Sequence, residues 1–320
     1  MRITVTGGAG FIGSHLVEAL LAEGHEVITL DNLSTGQEGH LQDVLQHPRH
    51  RMVRGDVLDR ATVRECVNES DAVYHLAAVL GVRNCVENPL QVIRGNLDGT
   101  RCVLEEAFAK GIKVIFASTS EVYGKNPDVP FGEQADRVLG ATTVHRWCYA
   151  TAKAMDEHLC LAYAKEGMRV TVIRYFNAYG PRANHTPYSG VIPKFIAAAL
   201  RNDPILVYGN GRQTRCFTYV DDIVRGTVAA LGEQADGRVL NLGTQVEVSI
   251  SSLAQLIRAL ANSRSEIVQV PYHEAFGPGY EDTPRRLPDL SQALAVLGYE
   301  VKTDLIAGLT QTIRWHRDRG

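Results

Sequence analysis

The sequence predicts an α/β protein in which a doubly wound parallel sheet is followed by a smaller, mixed lobe. Through the first 175 residues, short apolar and often β-branched segments alternate with longer segments of helical periodicity. This alternation is typical of parallel strands that are covered by helices on both faces. After residue 176 the alternation stops, and glycine, proline and asparagine become frequent. The change of pattern predicts a second lobe with less regular structure.

Each element follows from a local apolar pattern bounded by polar or turn residues. The predicted strands are Ile3–Thr6, Glu26–Leu30, Met52–Val53, Ala72–Leu76, Val114–Ala117 and Val170–Arg174. The predicted helices are Phe11–Glu23, Arg60–Asn68, Val92–Lys110 and Tyr149–Lys165, with further helices near 191–201, 250–262 and 303–318. The segment Arg238–Leu242 is predicted to return to the first sheet as one more strand. We therefore expect one domain from residues 1–175 and about 217–245, and a second lobe from 176–216 and 246–320.

Composition and charge exclude several classes of protein. The chain has 320 residues, of which 45% are hydrophobic and 22% charged, as in a globular protein with one large or two coupled domains. A net charge of -3 argues against a broad nucleic-acid or membrane surface. Because the chain opens directly on a strand, we expect no signal peptide and a cytoplasmic location. The six cysteines include no C-x-x-C pair, which indicates neither a zinc site nor a disulfide framework.

A glycine-rich turn joins the first strand to the first helix. The segment reads VTGGAGFIGSH, with Gly7, Gly10 and Gly13 in a G-x-x-G-x-x-G spacing. Glycine permits a tight turn and close approach of the backbone to a pyrophosphate, and the helix start beyond it offers free N–H groups. The spacing alone would equally fit a structural turn, but the strand before it and the helix after it give the required context. We interpret the segment as a Rossmann-type dinucleotide cradle.

Two aspartates follow later strands of the same sheet. Asp31 ends the second strand, 18 residues beyond Gly13, where a carboxylate bonds the adenosine ribose and repels a 2′-phosphate. This favours NAD over NADP, and the alternative is that Asp31 caps a turn with Asn32. Asp56 follows the third strand and is placed either to meet the adenine or to serve as a turn residue.

A tyrosine and a lysine lie four residues apart on a predicted helix. Tyr149 and Lys153 therefore share one helix face. A nearby ammonium stabilises a phenolate, so we expect the pKa of Tyr149 to be lowered, with oxidised nicotinamide adding positive charge. Such a pair alone is usually a surface pair. Together with the glycine turn, Asp31 and Thr119 at a strand end, it indicates a site of proton transfer.

The motifs taken together resemble the extended short-chain dehydrogenase/reductase family of nucleotide-sugar epimerases, dehydratases and decarboxylases. The resemblance covers nearly the whole chain. It rests on TGGAGFIGSH (6–15), YHLAA (74–78), STSEVYG (118–124), Y-x-x-x-K (149–153), RYFNAYGPR (174–182) and GNGRQTRCFTYVDDIV (209–224). It implies a nucleotide-sugar substrate, expected to be UDP-linked, and NAD as cofactor.

The resemblance also implies roles for individual residues. Tyr149 takes a proton from the sugar 4-hydroxyl while hydride passes to NAD, Lys153 holds the nicotinamide ribose, and Thr119 hydrogen-bonds the 4-oxygen. Arg215 faces the nucleotide diphosphate, which suits a planar and permanently charged fork, or else forms a surface ion pair with Asp221 or Asp222. The implied cofactor-binding residues are Gly7, Gly10, Phe11, Ile12, Gly13, Asp31, Asn32, Asp56, Val57, Leu76, Ala77, Ala78, Asn96, Lys153 and Tyr175. The implied substrate-binding residues are Asn177, Arg182, Arg215 and Arg286.

Glu121 bears on the reaction that follows oxidation at C4. It appears in FASTSEVYG, where the chain leaves a buried strand, and a buried carboxylate is costly unless it is paired or functional. Epimerases of the resembling family usually carry a small residue here, whereas dehydratases and UDP-glucuronate decarboxylases carry glutamate. Many dehydratases add an acid just before it, but this chain has Ser120, a poor acid. The resemblance implies that Glu121 acts on the ketone intermediate, and the alternative is a hydrogen-bonded structural acid.

The C-terminal segment YEDTPRRLPDL gives a second indication of the reaction. It resembles the RR-x-PDI segment of UDP-glucuronate decarboxylases, in which an arginine reaches the active site, a role implied here for Arg286. In contrast, YATAK and RYFNAYGPR resemble epimerases. Decarboxylation is the first expectation, 4-epimerisation of UDP-glucose or UDP-glucuronate the second, and 4,6-dehydration the third.

Two further expectations concern Cys148 and assembly. Cys148, directly before Tyr149, is interpreted as a packing residue, with a place in the pocket wall as the alternative. The resemblance implies a homodimer through the helices near 92–110 and 149–165. Val103, Leu104 and Ala107 are compatible with that interface and equally with the core of a monomer. A non-catalytic NAD sensor is the alternative from another class, and it is disfavoured because the tyrosine and the lysine are both present.

Overall fold

A seven-stranded parallel sheet forms the centre of the protein in a computed structural model that describes residues 1–183, 190–276 and 281–319. The strands of the described chain are β1 (Arg2–Thr6), β2 (Glu26–Asp31), β3 (His50–Arg54), β4 (Ala72–His75), β5 (Lys113–Thr119), β6 (Val170–Tyr175), β7 (Ala178–Tyr179), β8 (Ile205–Tyr208), β9 (Thr214–Cys216), β10 (Thr218–Tyr219), β11 (Val239–Leu242), β12 (Glu247–Ser249) and β13 (Ile267–Val270). The central sheet has the order β11-β6-β5-β4-β1-β2-β3.

The strand order reverses between β1 and β4, and this reversal positions the site. Thr6 of β1 is level with Leu30 on one side and with His75 on the other, so the chain leaves both neighbours at the same edge. Farther along the sheet, Thr119 of β5 is level with Tyr175 of β6. In open α/β sheets, ligands bind in the crevice outside the carboxyl ends of the strands at such a reversal.

Helices cover both faces of the sheet. They are α1 (Phe11–Ala22), α2 (Arg60–Asn68), α3 (Val82–Glu87), α4 (Pro89–Lys110), α5 (Cys148–Lys165), α6 (Val191–Arg201), α7 (Val220–Ala229), α8 (Ile250–Leu260), α9 (Tyr272–Phe276), α10 (Ser291–Leu297) and α11 (Leu305–Arg319). Helices α1 and α7 share one buried apolar cluster with the sheet, and α2, α4 and α5 share another on the opposite face. The core is thus divided by the sheet into two layers, as predicted for a doubly wound fold.

A smaller lobe is built from short strand pairs and the helices between them. Strand β8 pairs in parallel with β13, and β9 pairs antiparallel with β12. Strand β7 pairs with β10, directly beyond the end of the central sheet. This lobe therefore approaches the carboxyl edge of the sheet, where the candidate site lies.

The predicted fold class is confirmed, and the returning strand appears as β11 beside β6. Residues 184–189, 277–280 and 320, which the predicted lobe includes, lie outside the described residues, as does Tyr280 at the start of YEDTPRRLPDL. The structure decides between the two readings of one apolar stripe. Val103, Leu104 and Ala107 are each 0% exposed and pack into the chain's own core, which was the alternative to a dimer surface.

No helix in the described ranges has both the length and the apolar character that crossing a bilayer requires.

Candidate active site

The glycine turn between β1 and α1 has the shape that a pyrophosphate requires. Gly7 has φ +71, and a Cβ there would meet the backbone nitrogen of Ala77 at 2.7 Å. A Cβ on Gly13 would clash with the Gly7 carbonyl, so that helix and turn can pack closely only with glycine. At Gly10, an added Cβ would meet only the Gly7 carbonyl oxygen, at 3.0 Å, and would otherwise occupy open space at the start of α1. The residues present thus fit a dinucleotide phosphate at this helix start.

Asp31 lies at the end of β2 beside that turn. Its two carboxylate oxygens accept hydrogen bonds from the backbone N–H groups of Ala9 (3.0 Å) and Leu33 (2.8 Å). Burial raises the pKa of Asp31, and these two N–H groups oppose the rise. The Asn32 amide donates to Asp56 at 2.8 Å, which joins the predicted adenosine-side residues into one group. Asp31 therefore braces the glycine turn and also stands where a ribose is expected.

Other predicted cofactor residues lie along the same crevice. The backbone N–H of Leu76 donates to the Thr6 carbonyl (3.1 Å), which holds the segment after β4 against the glycine turn. The Asn96 amide donates to the carbonyl of Val79 at 2.8 Å, and Asn96 is buried. The Tyr175 hydroxyl bonds the hydroxyl of Thr227 at 2.8 Å. These contacts keep the walls of the crevice in place.

Tyr149 and Thr119 meet where β5 ends and α5 begins. The Thr119 hydroxyl accepts a hydrogen bond from the Glu121 N–H at 3.2 Å and also hydrogen-bonds Tyr149. Burial raises the pKa of Tyr149, and the negative charge of Glu121 raises it further. The expected lowering by Lys153 is therefore not found in the protein alone.

Lys153 makes a different contact from the one expected. It is 1% exposed, its Nζ lies 3.7 Å from the carboxylate of Asp156, and it lies 3.9 Å above the ring of Phe116. Burial lowers the pKa of Lys153, and Asp156 opposes this. Burial also raises the pKa of Asp156 to about 6, with Lys153 acting in the opposite direction. Asp156 was missed in the sequence, because a carboxylate in the interior of a helix gives no sign of its partner.

Glu121 is held between two arginines. One carboxylate oxygen accepts from Arg286 and the other from Arg146, each at 2.8 Å. Burial alone would raise the pKa of Glu121, but the two guanidinium groups outweigh it and hold the pKa well below its usual range. Arg286 and Arg146 are themselves 5% exposed. Arg286 thus lies against Glu121 although the two residues are 165 positions apart along the chain.

Arg146 is the second partner of Glu121, and sequence reasoning missed it. It precedes Tyr149 by three residues, and its Nε donates to the carbonyl of Glu281 at 3.0 Å. Its guanidinium lies 4.3 Å from the centre of the Trp147 ring. Its position just before the tyrosine was the available signal, since the start of a helix that carries Tyr149 must lie near the end of β5.

Arg215 lies beside this cluster and forms an ion pair, but its partner is Asp282 and not Asp221 or Asp222, the partners considered from the sequence. Its guanidinium donates to Asp282 at 2.9 Å, and Asp282 also accepts from the Tyr272 hydroxyl at 2.7 Å. Asp222 instead accepts from the backbone of Lys302. Burial and the neighbouring charge of Arg286 lower the pKa of Arg215. The ion pair therefore faces the site rather than the outer surface.

Of the remaining predicted site residues, Asn177 and Ser120 lie near the Glu121 cluster, whereas Arg182 lies away from it. Asn177, with φ +32, follows β6 and donates weakly to the carbonyl of Cys216 (3.4 Å), next to Arg215. Ser120 is buried between Thr119 and Glu121. Arg182 donates to Glu18 on α1 at 2.6 Å, so it joins the lobe to the dinucleotide half and is not part of the Glu121 cluster.

The fold and these side chains define a class of protein. A glycine cradle at the strand reversal, an acidic residue at the end of β2 and a tyrosine with a lysine one turn later describe the site of an NAD-dependent enzyme, with a cluster of charged side chains beside it.

Comparison with known proteins specifies the class further. The model of the NAD dependent epimerase/dehydratase family matches residues 3–243. The chain is 46% identical over 317 residues to UDP-N-acetyl-alpha-D-glucosaminuronate decarboxylase from Bacillus cytotoxicus, covering 99% of this chain and 98% of that protein. It is 38% identical over 319 residues to UDP-glucuronic acid decarboxylase 1 from Xenopus tropicalis, covering 99% of this chain and 72% of that protein.

A solved structure shows the same fold along the whole chain. UDP-glucuronic acid 4-epimerase from Bacillus cereus, in complex with UDP-glucuronic acid and NAD, superposes with a TM-score of 0.89 at 30% identity, over 100% of both chains. The chain belongs to the NAD-dependent epimerase/dehydratase family, and its cofactor is NAD.

Proposed function

We propose that the protein is an NAD-dependent decarboxylase that acts on a UDP-linked uronic acid of the glucuronate type. The relatives at 46% and 38% identity are both named as decarboxylases of UDP-linked uronic acids, which supports this choice. The observation that carries it is the carboxylate of Glu121 held between Arg146 and Arg286. An epimerase that acts on a neutral sugar has no use for this concentration of charge.

The charge in the pocket favours an acidic substrate. Three guanidinium groups, those of Arg146, Arg215 and Arg286, face two carboxylates, those of Glu121 and Asp282. The Nε of Arg286 is buried and has no hydrogen-bond partner among the described residues. Arg286 therefore has a donor left for the C6 carboxylate of a uronic acid, to which a guanidinium can bind with two parallel bonds.

The residues of the chain divide the proton chemistry among them. When bound, NAD supplies the group that oxidises the sugar at C4. Tyr149 takes the proton of the 4-hydroxyl and returns it to the same oxygen at the end of the reaction. The Thr119 oxygen already accepts from the Glu121 N–H, so its own O–H remains free to donate to the phenolic oxygen or the sugar oxygen. Burial raises the pKa of Tyr149, whereas proton transfer requires a lower pKa. This lowering depends on the positive charges of Lys153 and of the oxidised nicotinamide.

Loss of carbon dioxide follows from the charge arrangement. Once C4 is a ketone, the substrate is a β-keto acid, and its C6 carboxylate leaves as carbon dioxide while the bonding electrons pass to the enolate. A proton then adds at C5, so the whole reaction consumes one proton. Two like charges about 4 Å apart repel by roughly 4 kcal/mol at an effective dielectric of about 20. Glu121, kept ionised by its two arginines, opposes the substrate carboxylate and favours the step that removes this charge.

Product analysis tests the proposal. The purified protein with NAD is incubated separately with UDP-glucuronate, UDP-N-acetylglucosaminuronate, UDP-glucose and GDP-mannose, and products are read by mass spectrometry and NMR. We expect one or both uronic acids to lose the mass of carbon dioxide. Unchanged mass with inverted C4 would replace the proposal by a 4-epimerase, loss of water by a 4,6-dehydratase, and no turnover with any substrate by an NAD sensor.

The structure also supports a proposal for assembly. We infer a homodimer through the outer face of α4 and α5, where Leu90, Ile93, Phe108 and Met155 are exposed. Leu90, Ile93 and Phe108 follow helical spacing on one stripe of α4, and Phe108 packs against Tyr163 of α5 at 5.1 Å between ring centres. Exposed apolar patches of this kind mark protein interfaces.

We further propose the division into an NAD-binding domain (1–175 with about 217–245) and a nucleotide-sugar lobe (176–216 with 246–320), a cytoplasmic location, and a lyase reaction in preference to isomerisation. The pairing of β11 with β6 supports the division, since it returns the chain to the first sheet. The free cysteines suit a reducing compartment.

A further inference from the structure

Two cysteines meet beside Tyr149, and nothing in the decarboxylation uses them. Cys148 is the first residue of α5, and Cys85 lies in α3. The Cys148 Sγ lies 3.9 Å from the Cys85 carbonyl oxygen, and the two thiols are in hydrogen-bonding contact. The sulfur of Cys85 also lies within reach of the Tyr149 backbone N–H. Both cysteines are free thiols.

The two thiols differ in reactivity. The hydrogen bond from Cys85 lowers the pKa of Cys148, burial opposes this, and backbone N–H groups at the start of α5 support it. The same pairing, together with burial, raises the pKa of Cys85. Cys148 is half-buried, whereas Cys85 is buried. A thiolate at a helix start is the nucleophile in thiol oxidation, and a neighbouring thiol resolves the product.

We propose that Cys148 and Cys85 form a reversible disulfide that switches off the active site. In the first step, the Cys148 thiolate attacks a peroxide, the O–O bond breaks, and Cys148 becomes a sulfenic acid as water leaves. In the second, the Cys85 sulfur attacks the sulfur of Cys148, the S–O bond breaks, and a second water leaves. Two thiols lose two electrons in total, which reduce one peroxide to two waters. A small dithiol reverses the change by exchange.

The position of the bond explains its effect on catalysis. A disulfide ties α3 to the first residue of α5, directly before Tyr149, and moves the Cys85 sulfur from its place beside the Tyr149 N–H. The Tyr149 hydroxyl must stay close to Thr119 to act on the sugar oxygen. Small displacements of reacting groups lower the reaction rate strongly. The other four cysteines, Cys66, Cys102, Cys160 and Cys216, are buried in the core.

The test combines thiol counting with activity. The NAD-loaded full chain is treated with hydrogen peroxide, denatured and alkylated with iodoacetamide. We expect four labels in place of the six in untreated protein, a cross-linked peptide pair containing Cys85 and Cys148, and at least a tenfold loss of turnover that dithiothreitol reverses. The label count and the peptide map do not depend on which sugar is the substrate, so this test and that of the proposed function can fail separately.

Two variants complete the test. C148S and C85S should each fold, turn over substrate when reduced, and keep most of that turnover after the same peroxide dose. Six labels in treated wild type would overturn the proposal, as would loss of labels at other cysteines. Inactivation of C148S at the wild-type rate, or a disulfide with unchanged turnover, would equally overturn it.

Discussion

At the scale of single residues, the charge of Glu121 is fixed by its two arginine partners. A carboxylate whose pKa lies far below the working pH is a weak proton acceptor, so in the proposed reaction Glu121 acts through its negative charge and its contacts with Arg146 and Arg286. The proposal therefore gives Glu121 an electrostatic role in the later step and gives the proton transfer to Tyr149.

Replacing Glu121 with glutamine tests this role. Glu121→Gln keeps the shape and removes the charge, so C4 oxidation should remain nearly intact while product formation slows on the order of 100-fold. Stopped-flow absorbance in the reduced-nicotinamide band would then show an intermediate that decays slowly. Glu247→Gln is the matched control, because Glu247 pairs with Arg285, which neighbours Arg286. Wild-type turnover in Glu121→Gln would contradict the role.

Asp156 stabilises the charged form of Lys153, so replacing Asp156 should change the pH dependence of kcat/KM. Burial already lowers the pKa of Lys153, and Asp156→Asn removes the carboxylate that opposes this, so Lys153 loses its proton at lower pH. The alkaline limb of kcat/KM should therefore move to lower pH. The other titratable groups near Lys153 are Glu157, Cys160 and His75, and they are unchanged in this variant. Asp98→Asn is the control, because the Asp98 side chain on α4 is exposed. Superimposable profiles for Asp156→Asn and wild type would refute the coupling.

At the scale of elements, a buried ion pair fixes α5 to the central sheet. Glu157 of α5 accepts from Arg174 of β6 at 2.7 Å and from Ser118 of β5 at 2.5 Å. Arg174 also donates to the Tyr123 hydroxyl at 2.9 Å. The helix that carries Tyr149 is thus held to the two strands that form the floor of the site.

Removing one partner of the Arg174–Glu157 ion pair should lower the free energy of unfolding. Arg174→Met leaves the Glu157 carboxylate buried without its partner, which destabilises by about 3–5 kcal/mol. Urea unfolding should show a lower midpoint with an unchanged slope. Arg101→Met, which removes an exposed partner of Asp98, is the control and should change stability by less than about 1 kcal/mol. A midpoint for Arg174→Met equal to that of the control would contradict the inference.

The elements also show how far the sequence could predict the molecule. Long segments with strong periodicity, such as α1, β6 and α5, were found within a few residues, since each buries one face or runs fully buried. Helix α7 and the short pairs β8–β13 and β9–β12 were missed. They are stabilised by partners far along the chain, and a strand of three or four residues has no period to detect.

The same limit applies to the site. The positions of Tyr149, Lys153 and the glycine turn were predictable because each belongs to a motif with fixed local spacing. Arg146, Asp156 and Asp282 were not, because each is defined by what it contacts after folding. The sequence left Val103 open between a dimer surface and the core for a related reason, since periodicity marks an apolar face but not what covers it.

At the scale of the whole molecule, acid should destabilise the fold through His75. Its ring bonds Thr6 and Thr100, and burial lowers its pKa to about 3. Because the folded pKa lies below the ordinary value of 6.5, the unfolded chain takes up this proton first, so stability is complete above pH 6.5 and falls as pH drops toward 3. At pH 5, protonation of this residue in the unfolded chain should lower the free energy of unfolding by about 2 kcal/mol. Between pH 7 and pH 5, the free energy of unfolding of His75→Asn should therefore fall by about 2 kcal/mol less than that of wild type, as measured by urea unfolding. His158→Asn, on the exposed face of α5, is the control and should behave as wild type.

The proposed dimer gives a second prediction at this scale. Ile93→Glu places a charge in the exposed apolar stripe of α4, so the protein should become monomeric in light scattering after size exclusion. Leu206→Glu, equally exposed on β8, is the control and should leave the assembly unchanged. A wild-type protein that is monomeric at micromolar concentration would dismiss the dimer.

The late arrival of β11 at the central sheet has a consequence for synthesis on the ribosome. Strands β1 to β6 have all emerged by residue 175, but the strand that covers the outer side of β6 spans Val239–Leu242. While roughly 60 further residues are being translated, β6 presents unsatisfied amide and carbonyl groups, a template on which nascent chains of neighbouring ribosomes can pair. Truncation anywhere in that interval should yield insoluble protein or chaperone-bound chains.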